Sequence, residues 1–175
     1  MATSFKDVRL IGPPSVDGEY LALSDHDIVH LHDYARIYAV PGLYEHVVQG
    51  QLQCRSPQVA AEGFLRAIAR EGLDASSITV LDVGAGTGLV GELLRRSGVK
   101  RVVGVDPLPA ARTACMRDRP GVYASYLIGD LAAGDAEPCT TLREHRLGGL
   151  VSAGAFGGTH APPAALVNAL AVLPP

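Results

Sequence analysis

From Asp82 to Gly88 the chain reads Asp-Val-Gly-Ala-Gly-Thr-Gly, directly behind the apolar, β-branched run Ile78-Thr79-Val80-Leu81. Glycines permit a tight turn and let a ligand approach bare backbone, and a helix opening behind the turn adds amide donors and a positive end. Gly84, Ala85, Gly86 and Gly88 are therefore candidate ligand-binding residues. Gly86, Gly88 and Gly91 also meet the spacing of a dinucleotide loop, and Asp106 lies twenty residues beyond Gly86. An acid at that point can hold the two hydroxyls of an adenosine ribose, whatever cofactor carries it.

Two further acids narrow the ligand. Asp82 stands two residues before Gly84, where a carboxylate repels a pyrophosphate and attracts an ammonium group. Asp130, in Gly129-Asp130-Leu131, can accept a hydrogen bond from an adenine amino group. A cation joined to a nucleoside satisfies all three acids, and S-adenosylmethionine is such a molecule. A nicotinamide dinucleotide suits Asp106 and the glycines, but Asp82 and Asp130 disfavour it.

Strands must carry these acids to one edge. Ile78–Leu81 reads as a first strand, followed by a helix with Leu89, Val90, Leu93 and Leu94 apolar and a stop at Ser97-Gly98. Arg101–Asp106 is a second strand and Pro109 to about Asp118 a second helix. Val122–Ile128 and Gly149–Ala153 are the third and fourth strands, and Pro162–Leu173 is a last helix. Upstream, Ser56 and Pro57 read as N-cap and first residue of a helix that stops at Gly72. The alternation predicts an α/β fold, a Rossmann-like doubly wound parallel sheet with strand order 3-2-1-4. Residues 1–32, broken by Gly12-Pro13-Pro14 and Asp17-Gly18, read as an N-terminal extension or lid. Residues 33–175 read as the S-adenosylmethionine-binding domain.

The stretch Val80-Leu81-Asp82-Val83-Gly84-Ala85-Gly86-Thr87-Gly88 resembles the first motif of the class I S-adenosylmethionine-dependent methyltransferases. Val103-Gly104-Val105-Asp106 is similar to their ribose-binding acid, with Pro107 beside it, and Gly129-Asp130-Leu131 to their adenine-side acid. Leu150 to Phe156 resembles their fourth strand and the turn facing the methyl group, which brings in Ala153 and Gly154. Asp33–Tyr38, Arg55-Ser56-Pro57 and Gly154-Ala155-Phe156 resemble, more narrowly, the Williams–Beuren-region methyltransferase-like proteins. The resemblance implies methyl transfer from S-adenosylmethionine, with S-adenosylhomocysteine as product. It also implies that Tyr34 and Tyr38 face the cofactor from an N-terminal lid. The resembling fold continues into a fifth strand and a hairpin, so Leu173-Pro174-Pro175 suggests a shortened form with an open edge along Gly149–Ala153.

Methyl transfer from a sulfonium needs positioning and dryness, and needs a base only when the acceptor loses a proton. His160, behind Gly157-Gly158-Thr159, is the candidate base; His26, His30, His32 and Asp33 form a second cluster. His26 and His30 have the spacing of one helical face, but HExxH is absent, and a surface cluster without metal is the expectation. The turn Ser152-Ala153-Gly154-Ala155-Phe156 lacks the Asp/Asn-Pro-Pro-Tyr/Phe motif of amino-methylating families, which favours an oxygen or carbon acceptor.

Composition sets the outer bounds. The 175 residues, 47% hydrophobic and 19% charged, suffice for one core, and with no Trp that core is aliphatic. Fifteen Lys plus Arg against eighteen Asp plus Glu argue against nucleic acid and membrane as partners and leave a small-molecule acceptor, with a homo-oligomer open. Cys54, Cys115 and Cys139 are widely spaced and show no disulfide or zinc pattern, so a reducing, cytoplasmic compartment is expected.

Overall fold

A computed structural model describes residues 5–11, 20–134, 136–156 and 160–174. The turn signals at 12–14 and 17–18, the glycine stretch 157–159 and Pro175 lie outside the described residues. The chain divides into two compact units, Met1–Cys54 and Arg55–Pro175, whereas the sequence reading sets its boundary after residue 32.

In the first unit, Leu21, Ala22 and Val29 are buried while Tyr20 and Ile28 are exposed. β1 (Arg9–Ile11), β2 (Tyr20–Ser24) and β3 (Asp27–His30) form an antiparallel meander, with Arg9 opposite Ala22 and Tyr20 opposite His30. His26 is therefore in a hairpin turn and His30 in a strand, not on one helical face. Among the described residues no group of three His, Cys, Asp or Glu is placed to hold a metal ion. Asp33 caps α1 (Tyr34–Ala39) by accepting from the Arg36 amide. Pro41-Gly42 ends that helix, with Gly42 at φ +75°, before α2 (Leu43–Glu45) and a π-helical turn over His46–Gln51. Leu21, Val29, Leu31, Ile37, Leu43 and Val47 make the core of this unit.

The second unit begins with α3 (Ser56–Arg70), whose first helical residue is Ser56; Arg55 occupies the cap position without a side-chain bond. Gly72, at φ +67°, stops the helix where expected. There follow β4 (Thr79–Val83), α4 (Leu89–Arg96), β5 (Arg101–Asp106), α5 (Pro109–Asp118) and β6 (Ser125–Ile128). A 3-10 turn (Leu131–Ala133), α6 (Ala136–Glu144), β7 (Gly149–Ser152) and α7 (Pro163–Ala171) complete it. The four strands are parallel in the order β6-β5-β4-β7, the predicted 3-2-1-4.

Alternation sends the strand residues to two cores. Val80, Val102 and Val151 pack with Ala61 of α3 and Val90 and Leu94 of α4. Leu81, Val83, Val103 and Val105 pack with Leu142 of α6 and Ala165 and Ala169 of α7. A parallel sheet covered on both faces makes its central strands continuously apolar, which is why Arg101–Asp106 was readable at once. α6 carries no comparable stripe in sequence and has Pro138 in its first turn. No described helix is long and apolar enough to cross a membrane.

Candidate functional site

The strand registers set the three acids on a staircase. Asp82 pairs with Gly104, so Asp106 lies two residues further along the sheet. Asp106 pairs with Ile128, so Asp130 lies two residues further again. Each step is about 6–7 Å at the rise of a parallel strand. Burial follows the same order: Asp82 is 1% exposed, Asp106 7%, and Asp130 is on the surface.

The glycine loop leaves β4 through Gly84, Gly86 and Gly88, at φ +72°, +52° and +92°. The Gly84 and Ala85 amides donate to the Val105 carbonyl at 2.9 and 3.1 Å, which ties the loop to β5. Asp106 spans the loop and the next helix. Its Oδ2 accepts from the Gly86 amide at 3.0 Å, and its Oδ1 accepts from the Leu108 amide at 2.9 Å, just before α5. From the other side the Tyr126 hydroxyl donates to the Gly86 carbonyl at 2.8 Å. Arg119 donates to the Thr87 carbonyl and pairs with Glu92 at 2.9 Å.

Asp82 lies beneath this loop. The Tyr123 hydroxyl donates to its Oδ2 at 2.6 Å, while Oδ1 is buried with no hydrogen-bond partner. The Tyr123 ring occupies space left by glycines on two elements. A Cβ at Gly91 of α4 would stand 2.6 Å from it, and one at Gly104 of β5 3.2 Å. Burial pushes the Asp82 carboxyl up to about 7, aided by Asp106 and opposed by the Tyr123 hydroxyl and the Gly91 amide. Burial also raises Asp106, against the pull of the Leu108 and Gly86 amides. The Cys115 thiol is pushed up to about 12, mainly by burial.

A carboxyl held above its unfolded value contributes stability at low pH and loses it as pH rises through the folded value. Asp82 stabilises the fold fully below pH 4 and loses that contribution as pH climbs to about 7. Asp82→Asn, neutral throughout, should flatten the melting temperature across this window. Thermal melts at stepped pH measure it; an equally steep slope in the variant would assign the dependence to other groups.

The remaining candidates are spread around the loop and beyond it. Asp130 caps the 3-10 turn by accepting from the Ala132 amide at 2.8 Å, and Leu131 is buried in the core. Pro107 is exposed at the start of α5. Ser152 donates to the Val83 carbonyl at 2.8 Å, and Gly154 turns the chain at φ +74°. Ala153 is half-buried against the α3 and α4 face. His160 is half-buried beside Ala161, whose amide donates to the Ala155 carbonyl at 2.9 Å. Tyr34 and Tyr38 belong to the first unit, where their rings stack at 5.4 Å and each meets Tyr44. Sequence reasoning missed Tyr123, Tyr126 and Arg119. The available signal was the set of small positions at 88, 91 and 104, which demands a bulky partner.

Residues 52–175 match a family described as a methyltransferase domain. No curated protein matches. Among solved structures, a candidate RNA methyltransferase from Pyrococcus horikoshii is 23% identical, with a TM-score of 0.49, covering 65% of this chain and 55% of that one. A TehB-like S-adenosylmethionine-dependent methyltransferase from Corynebacterium glutamicum is 24% identical, with a TM-score of 0.42, covering 65% of this chain and 66% of that one. The chain thus spans less than two thirds of the length of either. The Pyrococcus protein overturns one expectation, the exclusion of nucleic acid as a partner. That exclusion rested on net charge, which averages over the chain and says nothing of the local field at an acceptor pocket.

Proposed function

This chain belongs to the methyltransferase-domain family, and from that premise we propose that it transfers a methyl group from S-adenosylmethionine to an oxygen or carbon acceptor. The observation behind the cofactor is the buried, partnerless Oδ1 of Asp82 beneath a loop of three positive-φ glycines. A carboxylate oxygen in that state calls for a donor, and the cofactor's α-ammonium is one. Asp106 would hold the ribose, with the Gly84–Gly88 backbone against the ligand and Pro107 alongside. Asp130 and Leu131 would meet the adenine, and Ala153 and Gly154 would flank the methyl-bearing end. When bound, the sulfonium supplies an electrophilic methyl carbon and a neutral thioether leaving group. The protein's part is to align the acceptor and exclude water.

Where the acceptor must lose a proton, His160 is the residue we assign to take it. His160→Ala should leave cofactor affinity within about twofold and lower turnover by the 10²–10⁴-fold typical of a lost general base. Unchanged turnover would remove the assignment. The acceptor preference rests on the Ser152–Phe156 turn, which has no asparagine or aspartate to hold an exocyclic nitrogen. Calorimetry with S-adenosylmethionine, S-adenosylhomocysteine and NAD tests the cofactor. Methyl release on a metabolite panel and on RNA tests the acceptor, and binding without transfer to either would point to a regulatory module.

A further inference from the structure

We infer that Tyr123 is a positioning residue for the cofactor's amino-acid end: by fixing Oδ2 of Asp82 it leaves Oδ1 as the acceptor for an ammonium group. This rests on the cofactor reading above.

The geometry makes the division of labour within one carboxylate. Tyr123 donates to Oδ2 at 2.6 Å, and its ring packs into the space left by Gly88, Gly91 and Gly104. A hydrogen bond to the charged form favours that form, which here works against desolvation of a fully buried group. The groups facing Asp82 are Tyr123 on the approach to β6, Asp106 on β5 and Cys115 on α5, with Tyr126 beyond. The paired Arg119 and Glu92 lie on the α4 and α5 side. The Tyr123 hydroxyl donates to Asp82 from the β6 side, and the Gly91 amide of α4 also favours the charged carboxylate. Tyr126 shares the edge-to-face ring pair at 5.3 Å but spends its hydroxyl on the Gly86 carbonyl.

The test compares two ligands by calorimetry. S-adenosylhomocysteine carries the α-ammonium; 5′-methylthioadenosine has the same adenosine and thioether and lacks it. Tyr123→Phe keeps the ring and removes one hydroxyl. It should weaken S-adenosylhomocysteine about five- to tenfold at pH 7, the size of a one-unit rise in the Asp82 carboxyl, and recover most of that by about pH 8.5. Affinity for 5′-methylthioadenosine should stay within about twofold. Tyr126→Phe, which removes the neighbouring hydroxyl, should leave the ratio of the two affinities as in the parent protein. Equal losses for both ligands in Tyr123→Phe, or a loss that pH does not restore, would reduce Tyr123 to packing and overturn the inference.

The unaltered protein supplies an independent reading should the variant not fold. With Asp82 titrating near neutrality, S-adenosylhomocysteine binding at pH 7 should release about half a proton and 5′-methylthioadenosine none. Equal release overturns the inference while the cofactor reading stands. If the unaltered protein binds neither ligand, the cofactor reading fails and takes this one with it.

Discussion

Asp106→Ala should weaken S-adenosylmethionine binding by about 2–3 kcal/mol, roughly a hundredfold, through loss of charge-assisted hydrogen bonds to the ribose. The structure adds a second consequence. Both Asp106 oxygens already accept backbone amides, from Gly86 and from Leu108. Alanine therefore also releases the middle of the glycine loop and the approach to α5. Asparagine recovers only part, because its single carbonyl oxygen can serve one amide while its NH2 group faces the other. Calorimetry on the three proteins measures the order, with aspartate strongest, asparagine between and alanine weakest. Unchanged affinity in the alanine variant would place the ribose elsewhere.

Gly84→Ala should cost stability, by about 2–5 kcal/mol. Two penalties add at this position. An L side chain at positive φ costs about 1–2 kcal/mol, and overpacking a filled site costs about 1–3 kcal/mol. The backbone is at φ +72°, and a Cβ would come 2.4 Å from the Ala155 Cβ on the turn after β7. Gly72 is the matched control, since it sits at φ +67° with nothing within 4 Å of the Cβ it lacks. Gly72→Ala should show the conformational penalty alone. Denaturant unfolding of both variants isolates the packing contribution as their difference. Equal losses would mean that the Ala155 turn gives way without cost, and that the loop and this turn are not in register.

Much of the second unit could be read from residue order because its signals are local. β5 coincides with the run Arg101–Asp106, α5 begins at Pro109 and ends at Asp118, and Gly72 stops α3. The first unit gave less. Its strands are three to five residues long, too short to establish a period, and the 12–19 stretch separates β1 from its partner. α6 escaped notice because apolar spacing is weak across Ala136–Glu144. The glycines and acids of the candidate site stood out because a backbone requirement and a charge are visible in one dimension. The depth at which each acid lies was not visible. Asp82 sits fourth of five residues in β4, and only the register with Gly104 reveals it as buried two residues below Asp106. Tyr123 and Tyr126 read as ordinary strand aromatics until folding closes three glycines and a carboxylate around one of them.

Tyr123 also gives the protein an optical reporter of its own. The chain has no tryptophan, and Tyr123 and Tyr126 are the only tyrosines after residue 54. Tyrosine emission from residues 55–175 therefore originates in a single ring pair next to the glycine loop. A phenol hydrogen-bonded to a carboxylate emits weakly, because the excited phenol passes its proton to the acceptor. Tyr123 should be dark while Asp82 is ionised and brighten as acid protonates that carboxyl. A cation that engages Asp82 draws charge from the same acceptor, so ligand arrival should register as a change in brightness without any attached dye.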